Sequence, residues 1–308
     1  MPQVDGQTKI PARKRGNRLG FLCFEILLKI GGLKLAYVLL YFVCLHYLIF
    51  DRRAVKGALS YLRRRFPKKN FLQLRLAVYR LFISQGEQLI DRAAIISGRH
   101  HFDIQLRGYD ALKPLLEDNT PGFLLLTSHT GNWQAALTVL KKMKKIVYLI
   151  MRPEDNRAVK NSLNIDQEND FIRVISPEGF LGGVVEAMAA LKAGGIVSIM
   201  GDRRYGFEGA PVSFLNDQAC FPLGAFSLAA GSNCPIVVLL SAKVAPGQYI
   251  VDVSHIIYPR YNSNKDKREQ LKAFMQQYAD ILNEYVAQYP YQCFLFHDIW
   301  YSGDTYHN

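Results

Sequence analysis

The sequence is short of the residues that mark a secreted scaffold or a metal centre. Its five cysteines, Cys23, Cys44, Cys220, Cys234 and Cys293, lie far apart, with no C-x-x-C pair and no paired histidine spacing. That pattern excludes a disulfide framework and a zinc site, and it predicts free, mostly buried thiols in a reducing compartment. No period of 20 to 50 residues repeats, so a solenoid or propeller is excluded. The chain also lacks G-x-x-x-x-G-K-[ST], G-x-S-x-G and H-E-x-x-H, which removes a P-loop NTPase, an ordinary α/β-hydrolase and a zincin. Gly179, Gly182 and Gly183 do not have the G-x-G-x-x-G spacing, and they read as a strand-to-helix turn. Acidic residues are the other shortage. There are 26 Asp and Glu against 38 Lys and Arg, a net charge of +12, which calls for an anionic partner.

What is present is apolar. Hydrophobic residues make up 49% of the 308, enough for a large core. From Leu19 to Phe50 the chain is almost all apolar, in two stretches, Phe21–Gly32 and Leu35–Phe50, the first interrupted by Glu25, Lys29 and Gly31. Neither alone reaches the roughly 20 residues of a spanning helix. Both flanks are basic: Lys9, Arg13, Lys14, Arg15 and Arg18 precede the segment, and Arg52, Arg53, Lys56, Arg63, Arg64, Arg65, Lys68 and Lys69 follow it. A single span leaves one flank poorer in Lys and Arg, so the pattern favours a hairpin or in-plane helix pair held on the cytoplasmic leaflet by anionic lipid. A late apolar start with no small-x-small site argues against a cleaved signal. The division expected is residues 1–50 as basic tail and membrane-attachment helices, and 51–308 as a catalytic domain.

Beyond residue 50 helix and strand periods alternate. Phe71, Leu74, Val78, Phe82 and Leu89 fall on one face of a helix over 70 to about 97. Short apolar runs at Gly122–Thr127, Ile146–Met151, Phe171–Ile175, Ile196–Met200, Pro235–Leu240 and Tyr249–Val253 read as strands. Helical stretches lie at Trp133–Met143, Gly182–Lys192 and Leu223–Ala230, and Leu271, Phe274, Tyr278, Ile281 and Tyr285 mark another. The fold class expected is α/β: a mixed, largely parallel sheet flanked by helices, with an N-terminal membrane-attached helical segment. The aromatic tail Gln292–Tyr301 is expected to pack back on the body.

One constellation carries chemistry. In LLLTSHTGNWQ, residues 124–134, His129 follows an apolar strand, and Gly131 and Asn132 stand where a helix would begin. An imidazole at the carboxyl end of a strand, beside helix N-terminal amides, is placed as a general base for a hydroxyl. A lone histidine is more often a hydrogen-bonded core residue.

SHTGNWQ is similar to the H-x-G-N-W-[ED] motif of the bacterial lipid A late acyltransferases and their mycobacterial phosphatidylinositol mannoside relatives. The resemblance continues in order through YLIMRPEDN (148–156), AMAALKAGGIVSIMGDRR (187–204), GAPVSFLNDQACFPLGAFSLAAG (209–231) and PYQCFLFHDIW (290–300), covering roughly residues 20 to 301. It implies transfer of a fatty acyl group from acyl carrier protein or acyl-CoA to a hydroxyl of a lipid or glycolipid acceptor at the cytoplasmic face of the bacterial inner membrane. His129 would be the base and Gly131 and Asn132 the oxyanion donors, Asn132 also touching substrate. Arg152, Arg203 and Arg204 would hold phosphates of donor or acceptor. No cofactor and no metal is called for. The surplus of positive charge would also suit an acidic carrier protein. Nucleic acid is not the expected partner, because the basic clusters flank an apolar helix instead of interleaving with aromatics.

The departure is Gln134, where the family has Glu or Asp. A glutamine oxygen can accept the imidazole N–H but supplies no countercharge when the ring takes a proton. Three readings follow. Gln134 suffices for an easier acceptor; another carboxylate, Asp202 or Glu178, takes over; or the protein is a catalytically silent lipid-binding or assembly relative. Asp202 ends a different strand from His129, and its cooperation requires the fold to bring the two strand ends together.

Overall fold

The computed structural model describes residues 18–300, except 99, 118–119, 133–144, 152–170, 179, 203–207 and 263–265. Helix α1 (Arg18–Phe50) joins the two apolar stretches, with a kink at Gly32, whose φ of 64° leaves the helical region. After one residue the basic helix α2 (Arg52–Arg65) follows. Asp51 caps it by accepting from the amide of Ala54, and its apolar face, Ala54, Val55, Ala58, Tyr61 and Leu62, is buried. Helix α3 (Phe71–Ile96) begins with a capping box between Asn70 and Gln73. It returns antiparallel along α1: Arg75 donates to Leu48 O, Tyr79 to Tyr41 O and Tyr37 to Asp91. Ala36, Leu40 and Cys44 form the buried stripe of α1, in one apolar core with α2, α3 and the sheet.

Among the described residues the strands are β1 (Asp103–Arg107), β2 (Phe123–Thr127), β3 (Val147–Ile150), β4 (Ile172–Ile175), β5 (Ile196–Met200), β6 (Gly209–Phe214), β7 (Asp217–Pro222), β8 (Ile236–Ala245) and β9 (Gln248–Ile257). Seven of them form one sheet in the order β1-β9-β8-β2-β5-β3-β4, parallel except for the β8–β9 pair. Among the described residues the other α-helices are the short α4 (Tyr109–Leu112), α5 (Val184–Lys192), α6 (Gly224–Ser232) and α7 (Lys267–Gln288). Strand β2 is buried along its length. Leu124 and Leu126 face the core shared with α3, α6 and α7, while Phe123 and Leu125 face a second core under α4. That two-sided burial is why the strand reads as an unbroken apolar run.

The α/β class is therefore present, with six expected strands in place. Three strands gave no apolar signal. Strand β1 is a sheet edge whose residues alternate between exposed and half-buried. Strands β6 and β7 form a separate antiparallel hairpin, turned at Leu215 and Asn216, both of positive φ. The expected helix at 133–143 lies outside the described residues. The tail does pack back: Cys220 N donates to Ile299 O at 2.7 Å, and Trp300 stacks on Phe214 at 6.0 Å and lies under the Arg64 guanidinium.

Candidate active site

Strands β2 and β5 are parallel neighbours with Thr127 beside Met200, so their carboxyl ends open at the same place. The ladder continues for one more bond, from Gly201 N to Thr127 O at 2.8 Å. Then the chains diverge, and the side chain of Asp202 takes the place of the backbone. Its Oδ2 accepts from the main-chain N–H of His129 at 2.7 Å. Its Oδ1 lies 2.9 Å from His129 Nδ1. One carboxylate thus grips the histidine at both backbone and ring. Asp202 is buried, while 21% of the His129 side chain remains exposed.

This geometry sets the tautomer. A carboxylate only accepts, so Nδ1 carries the hydrogen, and the ring's basic lone pair is at Nε2. No described residue bonds Nε2. When Nε2 takes a proton, Asp202 supplies the countercharge that a neutral amide lacks. Below the pair lie Tyr278, whose hydroxyl donates to Thr127 O at 3.2 Å, and the buried Cys293. Burial, reinforced by the charge of Asp202, pushes the Cys293 thiol and the Tyr278 phenol well above their ordinary pKa values. Both stay neutral, leaving Asp202 as the charge beneath the ring.

The turn carrying His129 is held from the other side by the tail. Phe294 N donates to His129 O at 2.7 Å, Gly131 N to Gln292 O at 2.8 Å, and Thr130 bridges Cys293. Gly131 has φ +51°, and a Cβ there would come within 1.6 Å of Ser241 O, so any side chain is excluded. Its N–H, expected to face an oxyanion, is already donated to Gln292. Asn132, expected at the substrate, is buried; its amide donates to Gln88 O at 3.2 Å and its side chain also bonds Tyr249. The Gly131 main-chain amide and the Asn132 side-chain amide thus have acceptors inside the protein. Glu178 is exposed, and no bond joins it to His129 among the described residues. Gln134, Arg152, Arg203 and Arg204 lie outside the described residues. Among the described residues no cluster of His, Cys, Asp and Glu is arranged to hold a metal ion.

Sequence reasoning missed the polar cluster behind this turn. Asp91 of α3 is wholly buried, accepts from the hydroxyls of Tyr37 and Tyr249, and pairs with Lys243 of β8 at 2.9 Å. Lys243 also pairs with Glu87 at 3.0 Å. Within the helix of 70–97 these charges have no motif; only the burial of that face reveals them.

The model of a family described as bacterial lipid A biosynthesis acyltransferase matches residues 53–302. The chain belongs to that family. It is accordingly an acyltransferase, working between an acyl donor and a lipid acceptor in a bacterial, membrane-associated family. Comparison with curated proteins gives no match.

Proposed function

We propose that the protein transfers a fatty acyl group from a thioester, on acyl carrier protein or coenzyme A, to a hydroxyl of a lipid A-like or other glycolipid acceptor, with His129 as general base. The observation that carries this reading is the His129–Asp202 pair. The acceptor hydroxyl loses its proton to His129 Nε2 as its oxygen attacks the thioester carbonyl. The tetrahedral intermediate then collapses, the C–S bond breaks, and the proton returns from the imidazolium to the departing thiolate. Asp202 orients the ring and stabilises its charged form. The tetrahedral oxyanion is met by donors other than the Gly131 amide. Arg152, Arg203 and Arg204 are proposed to hold phosphates of donor and acceptor.

The reaction is proposed to occur on the inner membrane's cytoplasmic face. Helix α1 is long and apolar enough to cross a bilayer, and its outer stripe, Leu35, Val38, Phe42, Leu45 and Ile49, is exposed. Its antiparallel contact with α3 argues against crossing, because Arg75, Arg80, Glu87 and Asp91 would be carried into hydrocarbon with it. An in-plane helix leaves those charges on the protein side. Exposed Phe71, Leu72 and Leu76 extend the apolar surface, beside a stretch, residues 52 to 86, with ten Lys and Arg and no Asp or Glu. Such a surface fits anionic phospholipid.

The test uses purified protein with acyl carrier protein charged with a labelled fatty acid and a bacterial glycolipid extract. Wild type is expected to move label into lipid, and His129→Ala to lose that transfer. Equal transfer by the two would remove His129 from the chemistry.

A further inference from the structure

We propose that Gln292 is a positioning residue for His129, acting through the tail that clamps the catalytic turn. The proposal rests on the reading of His129 as base. The ring is fixed at Nδ1 by Asp202, but where Nε2 points also depends on the main chain of residues 129–131, and that main chain is paired with the tail at Gln292 and Phe294. The tail there belongs to no helix or strand of its own, so something else must fix its register.

The Gln292 side chain does so. Its Oε1 accepts from the main-chain N–H of Lys243 at 2.8 Å, and its Nε2 donates to the main-chain carbonyl of the same residue at 2.8 Å. Strand β2 pairs with β8 only at Ile236–Val238. Further along β8, the Gln292 amide occupies Lys243's two main-chain groups as a neighbouring strand would. Oε1 also accepts from Gln88 Nε2 of α3 at 2.9 Å. Gln88 in turn offers its main-chain carbonyl to Asn132, in the catalytic turn itself. The side chain therefore joins α3, β8 and the tail, while its own carbonyl takes the Gly131 amide. Loss of the side-chain bonds frees the tail to slide, and the His129 turn moves with it. A displacement near 1 Å at a reacting group costs about 100-fold in rate.

Two variants separate positioning from plain stability. Gln292→Leu removes all three side-chain bonds. Gln292→Glu keeps the acceptor for Lys243 N and Gln88. Only when protonated can it also donate to Lys243 O as the glutamine does. The expected result for Gln292→Leu is a kcat about 100-fold lower with KM for donor and acceptor within about twofold, together with an altered NMR signal for the His129 Nδ1 hydrogen. Gln292→Glu is expected to recover activity as pH falls and the introduced carboxyl becomes neutral, and to lose it as pH rises, relative to wild type at each pH. An unchanged His129 signal and kcat in folded Gln292→Leu would overturn the proposal, as would a Gln292→Glu profile parallel to wild type. The NMR arm needs no substrate. A shifted His129 signal in Gln292→Leu beside full activity in His129→Ala would retain the positioning and refute only the role of the base.

Discussion

At the residue scale, the position that differs from the family pattern is not the one that supplies the carboxylate. Gln134 is neutral, yet His129 has an acid partner, supplied by Asp202 across two adjacent strand ends. Replacing a buried, tautomer-setting carboxylate by its amide costs on the order of 10⁴-fold in kcat in comparable triads. Asp202→Asn is thus expected to lose about 10³- to 10⁴-fold in acyl transfer, whereas Gln134→Ala only weakens it; initial rates of labelled-lipid formation decide. The buried thiols give a second prediction. Cys293 is raised well above the ordinary thiol pKa, mainly by burial, so the neutral form persists through pH 8. Iodoacetamide should label the exposed Cys23 in the native protein and leave Cys293 untouched until denaturation, read by peptide mass spectrometry. The sequence made His129 and Asp202 legible as separate candidates, each at the end of an apolar run. It could not show their contact, which depends on β5 lying beside β2 although nearly 70 residues separate them. Nor could it show that the Gly131 main-chain amide and the Asn132 side-chain amide turn inward, since that orientation is imposed by the tail and by α3.

At the element scale, the parallel strands and long helices are legible because burial on two faces, or on one stripe, leaves a period in the sequence. Strand β1 and the β6–β7 hairpin leave none, being an exposed edge and a small two-stranded unit held by Trp300 and the face of α7. The link between α1, α3 and β8 is equally hidden, because Tyr37, Asp91 and Lys243 lie more than 50 residues apart from one to the next. In the fold they form a buried polar joint beneath the catalytic turn. Lys243→Met would leave Asp91 without its cation, and removing one partner of a buried pair costs about 3–5 kcal/mol. Denaturant unfolding should show that loss. A change under about 1 kcal/mol would mean that the tyrosine hydroxyls alone satisfy Asp91.

At the scale of the whole molecule, the +12 surplus has a direction. Residues 52 to 86 carry ten Lys and Arg and no Asp or Glu, and this stretch follows the exposed apolar stripe of α1 and includes exposed Phe71, Leu72 and Leu76, while His129 stands at the carboxyl end of β2. Vesicles containing phosphatidylglycerol should float the protein, neutral vesicles should do so less well, and added salt should reduce the difference. Phe42→Ser combined with Leu72→Ser should weaken both. Catalysis through His129 and Asp202 can be read by mass spectrometry of total lipids from host cells lacking the gene and complemented with wild type, His129→Ala or Asp202→Asn. A lipid heavier by one acyl chain is expected with wild type, absent with His129→Ala and nearly so with Asp202→Asn. That lipid appearing equally with all three chains would contradict catalysis through this pair.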